Sequence, residues 1–134
     1  MDNEIISSLS EIKTLLIAIL VIVTILLLGQ ITKLISRLVR KRIIYRERAF
    51  VALASRDYDN KKFEELVKYC EEKLKTWGDN PYPLYWLARA KYKLGDLEVA
   101  IKLFEKVKDL EPEWESTVEP HIVKINKVLT RHSS

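Results

Sequence analysis

Residues 81–114 read PYPLYWLARAKYKLGDLEVAIKLFEKVKDLEPEW. Leu84, Leu87 and Ala88 recur at three- and four-residue steps; the pattern then breaks at Gly95-Asp96 and restarts with Leu97, Ala100, Ile101 and Phe104. Apolar residues at such steps line one face of a helix. The stretch therefore predicts two antiparallel helices joined by a tight turn. Gly95 suits the left-handed backbone of that turn, and Pro112 ends the second helix.

The 34 residues before it, ERAFVALASRDYDNKKFEELVKYCEEKLKTWGDN (47–80), fall into register with it. Phe50 matches Leu84, Leu53 matches Leu87, Ala54 matches Ala88 and Tyr58 matches Tyr92. Further on, Phe63 matches Leu97, Leu66 matches Ala100, Val67 matches Ile101 and Cys70 matches Phe104. Self-similarity at a fixed period of this size marks a helical repeat array.

Residues 81–114 closely resemble the tetratricopeptide repeat (TPR) family. Its pattern asks for a large residue, then Leu followed by a small one, Gly-Asp at the turn, Ala and an aromatic in the second helix, and Pro at the end. Those places are held by Leu84, Leu87, Ala88, Gly95, Asp96, Ala100, Phe104 and Pro112. Ala88 and Ala100 lie where the two helices cross, and a small side chain allows close approach. Residues 47–80 form a degenerate copy, with Lys61 where Gly belongs, Leu66 where Ala belongs and Gly78 where Pro belongs. The resemblance implies a groove lined by the first helix of each unit, taking an extended peptide or a partner helix. Its groove positions carry over as Tyr82, Tyr85, Arg89, Tyr92 and Lys93. In the first copy they are Arg48, Val51, Ser55, Tyr58 and Asp59. Three tyrosines beside Arg89 and Lys93 suit an acidic, partly apolar ligand. The competing expectation is that Tyr85 and Tyr92 pack against neighbouring helices. The family's clamp for a C-terminal carboxylate uses Lys and Asn, and Asn is absent from these places.

Residues 115–131 follow, with Val118, Ile122, Ile125 and Leu129 on one stripe. They predict the closing helix a repeat array needs. Ser116 and Glu119 have the spacing of a capping box, and Pro120 is tolerated in a first helical turn.

Upstream, residues 14–31 read TLLIAILVIVTILLLGQI. Eighteen helical residues span about 27 Å, near the hydrocarbon thickness of a bilayer. A buried core helix is the weaker reading, because the other residues account for a core of their own. A signal peptide begins with basic residues and ends at a small-residue cleavage site; here MDNEIISSLSE precedes the run and Lys33 follows it. The chain thus reads as a short tail (1–13), a transmembrane helix (14–31), a basic juxtamembrane helix (32–46), two repeats (47–80 and 81–114) and a capping helix. The fold class is all-α.

Charge sharpens this reading. Of the net +4, residues 33–48 hold +6, residues 1–32 hold −2, and the remainder is neutral. Lys33, Arg37, Arg40, Lys41 and Arg42 follow the apolar run directly. Cationic flanks stay cytoplasmic, which predicts an N-out, single-pass protein with a cytoplasmic C-terminal domain. These side chains can anchor at lipid headgroups. Alternatively, the stripe Ile31, Leu34, Ile35 and Leu38 packs on a membrane partner or on a second copy. Nucleic-acid binding is not expected of cations this close to lipid without interleaved aromatics.

No phosphate loop, nucleophile elbow or HExxH motif is present. One cysteine, Cys70, and two histidines, His121 and His132, leave little for metal or relay chemistry. Cys70 occupies a core place, His121 a surface or half-buried one. No enzyme activity, cofactor or metal is expected. The leading expectation is an adaptor, assembly factor or accessory subunit that docks a protein beside the bilayer. The layout is similar to that of bacterial inner-membrane repeat proteins that recruit cytoplasmic enzymes. The alternative is a structural subunit whose membrane helix makes the main contact.

Overall fold

The computed structural model describes residues 1–132. Among them every regular element is helical: α1 (Asp2–Asp59), α2 (Phe63–Trp77), α3 (Pro81–Lys93), α4 (Leu97–Leu110), a short 3-10 turn (Pro112–Trp114) and α5 (Glu115–His132). The chain divides into two compact units, Met1–Arg46 and Glu47–Ser134.

In the first unit helix begins at Asp2, so the short N-terminal tail is itself helical. Asp2 and Glu4 sit in the first turn, where carboxylates offset the positive end of the helix dipole. α1 is the one described helix long and apolar enough to cross a membrane, and the rest of the chain buries none of its apolar window. Hydroxyls along its apolar length and beside it bond back to the helix's own carbonyls. Thr24 donates to the Val21 carbonyl at 2.7 Å, and Thr14, Thr32 and Ser36 make equivalent bonds to Ser10, Gly29 and Lys33. A polar side chain satisfied by its own helix needs no water.

The second unit is two helical hairpins and a closing helix. The turns between α1 and α2 and between α3 and α4 are built alike, 34 residues apart. Lys61 N–H donates to Tyr58 O and Lys62 N–H to Asp57 O; Gly95 N–H donates to Tyr92 O and Asp96 N–H to Lys91 O. These paired bonds close a helix through one left-handed residue. Gly95 adopts φ 89°, and Lys61, unusually for a side-chain-bearing residue, adopts φ 60°. That conformation costs a non-glycine residue about 1 kcal/mol or more. Lys61→Gly is therefore expected to stabilise the unit by about 0.5–1 kcal/mol, and Gly95→Ala to destabilise it by about 1 kcal/mol. Urea titrations followed by helical circular dichroism measure both.

α3 is the central helix. Asn80 caps it, its side-chain oxygen accepting from Tyr82 N–H at 3.0 Å, and its amide donates to Glu47 Oε1 at 3.2 Å. Trp86, Leu87 and Ala90 face one buried cluster with Phe50, Ala54, Leu66 and Cys70. Leu84 and Ala88 face a second with Ala100, Phe104, Val107, Val118 and Ile125. No charged or polar residue is buried among the described residues. Burial pushes the Cys70 thiol up to about 12, which leaves it a small hydrophobe.

Three local expectations change. Leu53 is 37% exposed, although Leu87 at the matching place is buried. Leu87 packs on the hairpin before it, and no hairpin precedes Leu53. Ser116 lies inside α5, which begins at Glu115 straight after the 3-10 turn, so the capping box does not form. Glu119 instead accepts from Lys108 Nζ at 3.3 Å. Pro120 is the sixth helical residue rather than part of the first turn, and the helix gives up one backbone bond there.

Candidate partner-binding face

α3 carries Tyr82, Tyr85, Arg89, Tyr92 and Lys93, whose spacing sets them along one side of the helix. The final turn of α1 brings Tyr58 to that side, and α5 brings His121 and Lys124. The rings join in a chain. Tyr58 meets Trp86 edge-on at 5.8 Å, Trp86 meets Tyr85 at 5.8 Å, and Tyr85 meets Trp114 at 5.8 Å. Tyr82 meets Trp114 at 5.0 Å. Edge-to-face contacts at these separations are attractive, and they fix a firm floor.

Arg89 lies on that floor. Its guanidinium carbon is 4.1 Å from the Tyr58 ring centroid, 4.7 Å from Trp86 and 5.7 Å from Tyr85. A weakly hydrated, planar guanidinium suits such stacking. Lys93 Nζ lies 6.0 Å from the Tyr58 ring, and Lys124 Nζ lies 5.5 Å from Tyr92. The structure thus gathers Tyr58, Tyr85, Arg89 and Lys93 around one spot. Tyr92 faces α5, and Tyr82 runs towards Trp114. Tyr85 is half-buried and packs on Phe104 at 5.9 Å, so most of its ring belongs to the scaffold. Of the matching residues on α1, Val51 and Ser55 are half-buried and Arg48 and Asp59 exposed.

The remaining residues expected to matter fall in two groups. Leu84, Leu87, Ala88, Ala100 and Phe104 are buried. Gly95 and Pro112 are exposed and act through the backbone, at the left-handed turn and the 3-10 turn. In the first unit Lys33, Arg37, Arg40, Lys41 and Arg42 are all exposed.

The sequence hides His121. Its ring stacks on Phe104 with centroids 4.9 Å apart, and its Nε2 lies 3.4 Å from the Tyr85 hydroxyl. A third step of 34 residues would have found it. Val118 follows Leu84, His121 follows Leu87 and Ile122 follows Ala88, so His121 stands where the repeat keeps Leu. Burial, then Arg89 and Lys124, hold its pKa below the ordinary 6.5. The unfolded chain binds a proton more readily than the folded one in that window. Stability is therefore full above pH 6.5 and falls as pH drops below it. In His121→Gln this slope should disappear, which urea midpoints between pH 7.5 and 5.0 will test.

Among the described residues no three His, Cys, Asp or Glu side chains are grouped as a metal site would require. No curated protein matches the chain. Residues 81–114 match the family model described as Tetratricopeptide repeat, and the α3–α4 hairpin is the part of the chain that is similar to that family.

Proposed function

We propose that this chain is a single-pass membrane protein that docks a protein partner at the cytoplasmic face of the bilayer. The partner lies across the face formed by Tyr58, Arg89, Tyr92 and Lys93. The observation that carries this reading is the aromatic floor with Arg89 set on it, because tyrosine, tryptophan and arginine supply most interface hot spots. The membrane half of the reading is supported by the exposed apolar length of α1 and by the cations that follow it. The chain's role is binding, as adaptor, assembly factor or accessory subunit, and not catalysis.

Site-specific photo-crosslinking in cells tests it. Crosslinking residues placed at Ser55, Tyr92 and Lys93 should capture one protein, while those at Glu98 and Glu105 on α4 should not. Adducts that form only from Leu34 and Leu38 would instead make the chain a structural subunit held by its membrane helix.

A further inference from the structure

In the first unit, Met1–Arg46, one line of apolar residues outlasts the proposed span at both ends. Ile5, Leu16, Leu27 and Leu38 stand eleven residues apart. Leu9, Leu20 and Ile31 repeat at the same interval, as do Ile12, Val23 and Leu34. Steps of four, three and four residues keep them on one side of a helix at about 3.67 residues per turn. Inside the apolar run of 14–31 any line of positions would be largely apolar, so the flanks decide. Ile5, Leu9 and Ile12 precede the run in phase, and Leu34 and Leu38 follow it in phase. Asn3, Ser7 and Ser10 at one end, and Lys33, Ser36 and Arg40 at the other, lie on the opposite side. Arg42 takes the next place and ends the line.

Lipid cannot cover this line. From Ile5 to Leu38 it runs about 50 Å at ~1.5 Å per residue, against about 30 Å of hydrocarbon and about 40–45 Å with the headgroups. Bringing all of it into the hydrocarbon would need a tilt of about 53°, beyond the roughly 0–40° seen for membrane helices. No break lays either end flat on the surface, because α1 is continuous from Asp2 to Asp59. The residues of the line are 44–64% exposed, and the rest of the chain buries none of the apolar window. Their combined area is of the order that one partner of a stable interface contributes, about 800 Å².

We infer that α1 pairs with α1 of a second copy along this line, parallel and in register. Two copies that insert with the same sense lie parallel, so each overhang meets one of equal length at the same depth. Lys33 and Arg40 then face away from the seam, which holds those cations apart. Like charge meets beyond Leu38, at Arg42, and the pairing stops there. A helix of another protein would have to carry matching overhangs at both ends. Within the hydrocarbon, lipid tails are as apolar as leucine and give the pairing no hydrophobic drive. The overhangs reach water and provide it. An eleven-residue period gives the pair a right-handed supercoil. The length of the overhangs rests on the membrane reading above; the line itself does not.

Disulfide trapping in native membranes tests this on the full chain. Leu9→Cys, Ile12→Cys, Leu34→Cys and Leu38→Cys, each alone, should oxidise to a species of twice the chain's mass. They should do so several-fold faster than Ser7→Cys, Ser10→Cys and Ser36→Cys. Cys70 is buried and does not compete. Adding Leu9→Ser and Leu38→Ser to Ile12→Cys should slow its dimer formation by about tenfold, because two apolar contacts per copy leave the seam where it meets water. Equal oxidation on both sides of α1, no dimer at all, adducts with a different protein, or a dimer indifferent to the two serines overturns the inference. Carbonate washing of the same membranes separates it from the membrane reading. A chain that stays in the pellet without the one-sided pattern overturns the pairing alone. A chain that washes out with the pattern kept overturns the membrane reading and leaves the pairing standing.

Discussion

Phe104→Ala should remove a large share of the second unit's stability, and leave it at the edge of unfolding if that stability lies at the low end of its range. Phe104 has no exposed surface. It stacks on His121, meets Tyr85 edge-on and lies in the cluster that joins α3, α4 and α5. Truncating a buried phenylalanine costs about 3–5 kcal/mol, since the lost transfer energy adds to an unfilled cavity. At roughly 0.05–0.15 kcal/mol per residue, a unit of this size has about 4–13 kcal/mol in hand. Tryptophan fluorescence in urea reads the change directly, because Trp86 and Trp114 both touch Tyr85. Phe104→Leu should lose much less, about 1–1.5 kcal/mol, since the cavity stays mostly filled. If the alanine variant unfolds at the same urea concentration as the parent, the packing described for α4 and α5 is wrong.

The second large effect concerns orientation. Replacing Lys33, Arg37, Arg40, Lys41 and Arg42 together with Gln removes most of the charge asymmetry across the proposed span. Without it, roughly half the molecules are expected to insert with the second unit on the opposite side. Adding Asn3→Lys, Ser7→Lys and Ser10→Lys should carry the inversion further. Protease added outside sealed vesicles should leave the parent's C-terminal unit intact and digest it in the inverted molecules. Uniform protection in all three proteins would show that these cations do not set the orientation.

How much of this was legible depends on whether one residue had one job. The Gly95 turn and the Ala88 and Ala100 crossing were plain, because few other residues fit a left-handed turn or a close helix crossing. The equivalent turn at Lys61 was disguised by its side chain, and only the 34-residue offset pointed to it. Ser116 and Glu119 matched a local capping signature, yet a 3-10 turn feeds α5 directly and Lys108 claims the carboxylate. There a tertiary contact overrode a local pattern. The period of α3 placed Arg89 and the tyrosines on one side, but not their surroundings. Those come from Trp114 and His121, far along the chain, and histidine at a leucine place gave no local sign.

The two matching turns have a kinetic consequence. Each hairpin closes through bonds between residues a few positions apart, and in the clusters each helix of the second unit meets chiefly its sequence neighbours. A fold made of such short-range closures has little loop entropy to overcome, and chains of this kind fold in microseconds to milliseconds. That is far quicker than a ribosome adds a residue. The second unit can therefore form hairpin by hairpin as it emerges during synthesis, with Leu53 the first core-facing place to lack a cover and α5 the last piece to arrive.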